Sequence, residues 1–168
     1  YAYGQITSSS TNAAKAIQKA DEQMGVVMDN KTHIIWERGG KFLSKEVSGM
    51  SYPSTTDSIK GSAYMLMQAA QVEESKIKGS SLMSMLKKQI NQPVDLTGCT
   101  LDEILYFVSS GKPVVGMLSS SHAVVITGYT GNTVTWLDPV THKKTTTSLN
   151  SADSTFKNAG YVFVSYIN

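Results

Sequence analysis

Apolar residues recur at helical spacing in three stretches of the chain and alternate or run together in several others. Ala14, Ile17, Ala20 and Met24 fall three or four residues apart behind the Ser- and Asn-containing loop 8–12, which predicts a helix over 13–24 stopped by Gly25. A short strand over 3–7 precedes it, and a β-hairpin follows from Val26-Val27-Met28, the turn Asp29-Asn30-Lys31 and the run 32–38, closed by Gly39-Gly40. Residues 41–56 lack periodicity and read as loop. The segment 57–70 reads as a helix that is apolar on every side between Ala63 and Met67, which predicts burial all round.

A second amphipathic helix is expected over 80–90, with Leu82, Met83, Leu86 and Ile90 on one side. Thr100-Leu101-Asp102-Glu103 has the form of a capping box and opens a third, whose core face is Leu101, Ile104, Leu105, Phe107 and Val108 up to Gly111. Strands then fill the rest: 114–118, 123–129, 133–137, 144–148 and 161–167. Helices followed by a run of strands predict an α+β fold in which N-terminal helices pack on a C-terminal antiparallel sheet.

With 168 residues, 40% of them hydrophobic and 17% charged, the chain has the size of one domain spanning 1–168. It starts without an initiator Met and is expected to be a domain of a longer protein. Lys+Arg of 15 against Asp+Glu of 13 leaves +2, and the basic residues are scattered apart from pairs such as Lys87-Lys88 and Lys143-Lys144. That argues against a nucleic-acid partner. No apolar run approaches the ~20 residues of a membrane span, so no membrane insertion by this domain is expected, and the first residues do not read as a signal peptide. The single cysteine excludes an internal disulfide and a cysteine-based zinc cluster. No Gly-rich phosphate loop or metal-ligand cluster stands out, so no cofactor or metal is expected. Abundant Ser and Thr with low charge is the pattern of exported bacterial domains, and an extracellular or cell-surface location is expected.

The candidate chemistry lies in Ser119-Ser120-Ser121-His122 and the apolar run after it. Thr130-Gly131-Asn132 turns the chain back into a second run ending at Leu137-Asp138-Pro139. If the two runs pair, His122 at the start of one strand meets Asp138 at the end of the other. A carboxylate beside an imidazole fixes its tautomer and stabilises the imidazolium, which is the base-and-orienter half of a nucleophilic site. His122 taken alone also fits a structural histidine in a strand.

Gly111-Lys112-Pro113-Val114, the run His122 to Tyr129, and Trp136-Leu137-Asp138-Pro139 together resemble the C39-like cysteine peptidases. That family is papain-like, and the resemblance implies the papain-like fold with His122 and Asp138 in the catalytic positions. In such enzymes the nucleophile heads a buried helix, where unpaired N–H groups and the helix dipole favour a thiolate. The family pattern, similar to D-C-G-P-A, falls on Asp57-Ser58-Ile59-Lys60-Gly61 and places Ser58 at the cysteine position. Ile59 and Lys60 replace the usual Gly-Pro. No glutamine stands upstream among Tyr52, Pro53, Ser54, Thr55 and Thr56, where the family supplies an oxyanion donor.

A serine hydroxyl needs a base to take its proton during attack, unlike a thiol that is partly ionised. Loss of one oxyanion donor costs about 10²–10³ in rate. Three explanations for Ser58 stand open: a catalytically degenerate domain, a Ser-His-Asp hydrolase on the same scaffold, or an engineered Cys-to-Ser variant, the last opposed by the altered Ile59-Lys60 neighbours. Cys99, just before the capped helix, is the competing nucleophile, with inert burial as its alternative. His33 is expected to face solvent and His142 to be exposed in a turn. Trp36 and Trp136 fit core or rim positions, or the wall of a peptide cleft, and the methionines fit core filling. The expected function is a degenerate C39-like domain that binds a peptide or protein segment in the former substrate cleft. The alternatives are an active hydrolase using Ser58 or Cys99 with His122 and Asp138, and a purely structural module.

Overall fold

The computed structural model describes residues 1–2, 5–72, 81–87, 89–90 and 92–167. Side-chain caps set the helix starts. Asn12 accepts from the Lys15 amide to open α1 (Ala13–Glu22), and Asp57 accepts from the amides of Ile59 and Lys60 to open α2 (Ser58–Ala69). A reciprocal Thr100 and Glu103 capping box opens α4 (Leu101–Ser109), as its sequence predicts. Between them lies the short α3 (Leu82–Leu86), so the helix expected over 80–90 forms in its middle, with Ser80 and Lys88 outside the described residues.

The hairpin β1 (Val26–Met28) and β2 (Ile34–Glu37) stands apart as a two-stranded sheet. The main sheet runs β4 (Pro93–Asp95), β9 (Phe163–Tyr166), β5 (Val114–Ser119), β6 (His122–Tyr129), β7 (Thr133–Leu137) and β8 (Lys144–Ser148), all antiparallel, with β3 (Lys45–Glu46) paired to the far end of β6.

Alternation along the strands divides the interior into two layers. Val114, Val124, Ile126, Val134 and Trp136 pack on one side with α1, α4 and a fifth helix, α5 (Leu149–Asn158). Val115, Met117, Ala123, Val125 and Val164 pack on the other side with α2 and α3. The all-round burial expected of α2 holds at Ala63, Met65, Leu66 and Met67, each 0% exposed.

Four features depart from the sequence reading. α5 was not expected, because its only buried residues, Ala152 and Phe156, are scattered among Ser, Thr and Asn. β3 lies inside the segment read as loop and exists through its pairing with Gly128 and Tyr129. β4 was also unexpected, since three residues starting with Pro carry no strand period of their own and depend on β9. The strand expected over 3–7 is not formed in its described part: Gln5 makes an isolated bridge to Ala2, and Tyr3 and Gly4 lie outside the described residues. Among the described residues no helix is long and apolar enough to cross a membrane.

Candidate active site

His122 and Asp138 meet because of strand register. Val125 pairs with Leu137, so Asp138 continues opposite Val124, two residues from His122 and on the same face of the sheet. Diagonal neighbours of this kind lie within reach of long side chains. The ring Nε2 sits 2.7 Å from Asp138 Oδ2. The other carboxylate oxygen, Oδ1, accepts from the amides of Val140 and Thr141 at 2.9 and 3.1 Å.

Asp138 is 7% exposed. Burial alone would raise its carboxyl, but the Thr141 and Val140 amides and the His122 ring outweigh it and hold the group below the ordinary aspartate value. An ionised carboxylate can only accept, so the shared proton sits on Nε2 of the ring. Nδ1 of neutral His122 is then the free acceptor, which is the tautomer a general base needs. The imidazole side chain is 43% exposed, so incoming groups can reach it.

Ser58 opens α2 at the same end of the sheet, but its hydroxyl is engaged elsewhere. It accepts the amide proton of Ala123 at 3.0 Å and donates to the carbonyl of Ser121 at 3.3 Å. These main-chain groups flank His122. They lie before Val125, where β7 stops pairing with β6, so the serine supplies a partner that the departing strand does not. Its proton is committed to a carbonyl rather than to the imidazole. The structure thus brings Ser58, His122 and Asp138 to one place and forms one of the two hydrogen bonds of a catalytic line.

Packing fixes this end of α2. A Cβ on Gly61 would lie 2.7 Å from Pro139 Cβ and 2.9 Å from Thr55 Cγ2, so only glycine lets the helix settle against the residue that follows Asp138. His142 adds a clamp that sequence reasoning missed. It is exposed, as expected, but its ring stacks on Tyr52 with centroids 4.7 Å apart and 9° between planes, and its Nε2 donates to the Pro53 carbonyl at 2.8 Å. The His142 backbone takes a positive φ of 58° to do so. The turn capped by Asp138 therefore holds the segment that leads into Ser58, a link between distant stretches that no local pattern announces.

Cys99 is excluded as nucleophile. It is 0% exposed, its Sγ faces the Ala14 carbonyl at 3.7 Å, and it belongs to the layer that packs α1 and α4, not the one that holds α2. Burial, with Glu103, pushes its thiol up to about 12. Proximity to a helix start does not lower a thiol that is sealed from water and ringed by carboxylates.

Ser58, His122 and Asp138 do not line any of five prominent surface cavities of roughly 270 to 600 Å³ among the described residues. Trp36 is buried, donates to the Glu103 carbonyl and borders a cavity that Ser58, His122 and Asp138 do not line, and Trp136 packs edge-on to Phe156, so both belong to the core. His33 faces solvent beside Asp29. Among the described residues no group of three or more His, Cys, Asp or Glu side chains is placed to hold a metal ion.

A model of the Peptidase_C39 like family matches residues 2–166. No curated protein matches. Among solved structures, a crystal structure described as a candidate C39-like peptidase from Bacillus anthracis superimposes with a TM-score of 0.61 over 74% of this chain and 98% of that one, at 17% identity. At that identity the likeness is one of fold.

Proposed function

The chain belongs to the C39-like peptidase family and has its papain-like α+β fold; from that premise we propose that it is a member that has given up bond cleavage and binds a peptide or protein segment beside His122. One observation carries the reading: the Ser58 hydroxyl, at the family's cysteine position, is bonded to the main chain on both sides of His122 and not to its ring. A hydroxyl in that role helps hold the helix to the sheet, and it has no proton to hand to a base without first breaking those bonds. Recognition and bond-breaking draw on different interactions, so a binding surface can outlast the chemistry. The Ser- and Thr-rich, weakly charged composition supports an exported or cell-surface bacterial setting for the single domain 1–168.

A second reading has its own observation. The 2.7 Å bond between His122 and Asp138, with the imidazole open to solvent, is an intact base and orienter. If the hydroxyl swings to Nδ1, Ser58 becomes the nucleophile of a Ser-His-Asp hydrolase.

A fluorophosphonate probe and an extended-peptide library separate the two. The proposal expects no labelling of Ser58 and saturable binding of some peptides, weakened by His122→Ala. Labelling of Ser58 that disappears in His122→Ala would overturn it in favour of the hydrolase. Absence of any peptide binding would overturn it in favour of a purely structural module.

A further inference from the structure

The main sheet ends in β4 on one side and β8 on the other, and the two edges differ. β4 is three residues long and carries Pro93. Short strands and proline are ordinary means of discouraging strand addition. β8 has neither device: it is Lys-Thr-Thr-Thr-Ser, pairs with β7 without a bulge over all five residues, and has no buried position. Its one charge, Lys144, is engaged with Glu46 at 2.5 Å.

The phase of its backbone follows from two hydrogen bonds. Asp138 donates to the Lys143 carbonyl and Leu149 donates to the Asn132 carbonyl, so the odd-numbered residues face β7. Lys144, Thr146 and Ser148 therefore turn their main-chain groups outward, where the sheet has no further strand among the described residues. The Ser148 carbonyl lies at the cap of α5, where the first helical bond forms. That leaves five outward groups for an incoming strand.

We infer that the outer edge of β8 is an interface for a second copy of this chain, joined antiparallel about a two-fold axis at Thr146. In that register Thr146 faces Thr146 of the second copy as a hydrogen-bonded pair, and Lys144 faces Ser148. The arrangement is self-complementary, as a two-fold interface must be. No like charges oppose each other across it. The two Lys144 side chains stand four residues apart, about 14 Å along the strands, beyond the ~8 Å over which charges act at physiological salt. The threonines add β-branched side chains suited to cross-strand pairing. An unrelated extended peptide would use the same groups by strand addition, but only the second copy presents a strand whose length and charge match by construction.

Sedimentation of the whole chain over a concentration series reaching about 1 mM, the range of weak complexes, tests this. Wild type should pass from monomer to dimer as concentration rises. Thr146→Lys sets like charges on the axis and should weaken the dimer at least tenfold, as should Thr146→Glu. Mixing the two variants should restore a heterodimer, a rescue that a folding defect cannot produce. Thr146→Pro removes an outward N–H and the exposed hydroxyl contact to Thr135 but no main-chain bond of the β7–β8 ladder, so it should abolish association while circular dichroism stays unchanged. A wild type that stays monomeric throughout, a dimer indifferent to Thr146→Lys, or a mixture that does not pair would each overturn the inference, the first leaving β8 to a different partner or to none.

Discussion

Ser58 Oγ lies 3.0 Å from the amide nitrogen of Ala123, so the side chain that heads α2 is a member of the sheet's hydrogen-bonding scheme. The same oxygen donates to Ser121, and the residue is 8% exposed. Replacing it therefore strands a donor and an acceptor at the helix-to-sheet junction. Ser58→Ala should cost about 1–3 kcal/mol of stability, read from urea unfolding. A neutral or stabilising result would show that the hydroxyl is held for something other than structure.

Gly61→Ala gives a prediction whose sign is the test. In an exposed helix interior that change stabilises by up to about 1 kcal/mol. Here the new methyl would meet Pro139 and Thr55 at under 3 Å. Overpacking of this kind costs about 1–3 kcal/mol, so the midpoint of unfolding should fall and not rise.

Cys99 should resist thiol reagents in the native state. With no exposed surface and a thiol pushed up to about 12, it has neither access nor thiolate at neutral pH. Ellman's reagent should register no free thiol until denaturant is added. Rapid native labelling would return Cys99 to consideration.

Two carboxyls should shape the pH dependence in opposite directions. Asp138 is held below its ordinary value, so its contribution is full above the unfolded value of about 3.9 and is lost as pH falls through the lower folded value. Asp138→Asn should remove that acid limb. Glu103 is pushed by burial, then by its neighbour Asp21, up to about 7, although the Thr100 amide and side chain pull the other way. An acid raised on folding binds its proton more tightly in the native state, so stability falls as pH rises from about 4.3 to about 7 and is flat above. Glu103→Gln keeps an acceptor for the Thr100 amide and should flatten that slope. Urea midpoints between pH 3 and 8 read both.

What was legible in the sequence was what local pattern decides. The loop ending at Asn12, the capping box at Thr100 and the apolar stretches behind them mark α1 and α4, the all-apolar run 63–67 marks α2, and the hairpin from His122 to Leu137 places the imidazole beside Asp138. β3 and β4 were not legible, because two or three residues become strands only when β6 and β9 offer edges to them. α5 was hidden by a two-residue apolar stripe. The bonds of Ser58 depend on where β7 leaves β6, which is a property of the sheet and not of Asp57-Ser58-Ile59. The sealed position of Cys99 arises from packing against Ala14, 85 residues earlier.

Both tryptophans, Trp36 and Trp136, stand in the layer shared by α1, α4 and α5, whereas the layer around α2 is filled by Met65, Met67, Met85 and Met117. Indole emission will therefore report the half of the molecule that lies away from Ser58, and a partial lifting of α2 will pass unseen in it. Peroxide offers the complementary clock: buried thioethers become sulfoxides only when water and oxidant reach them, so the rate at which those methionines gain oxygen measures how often α2 and its layer open.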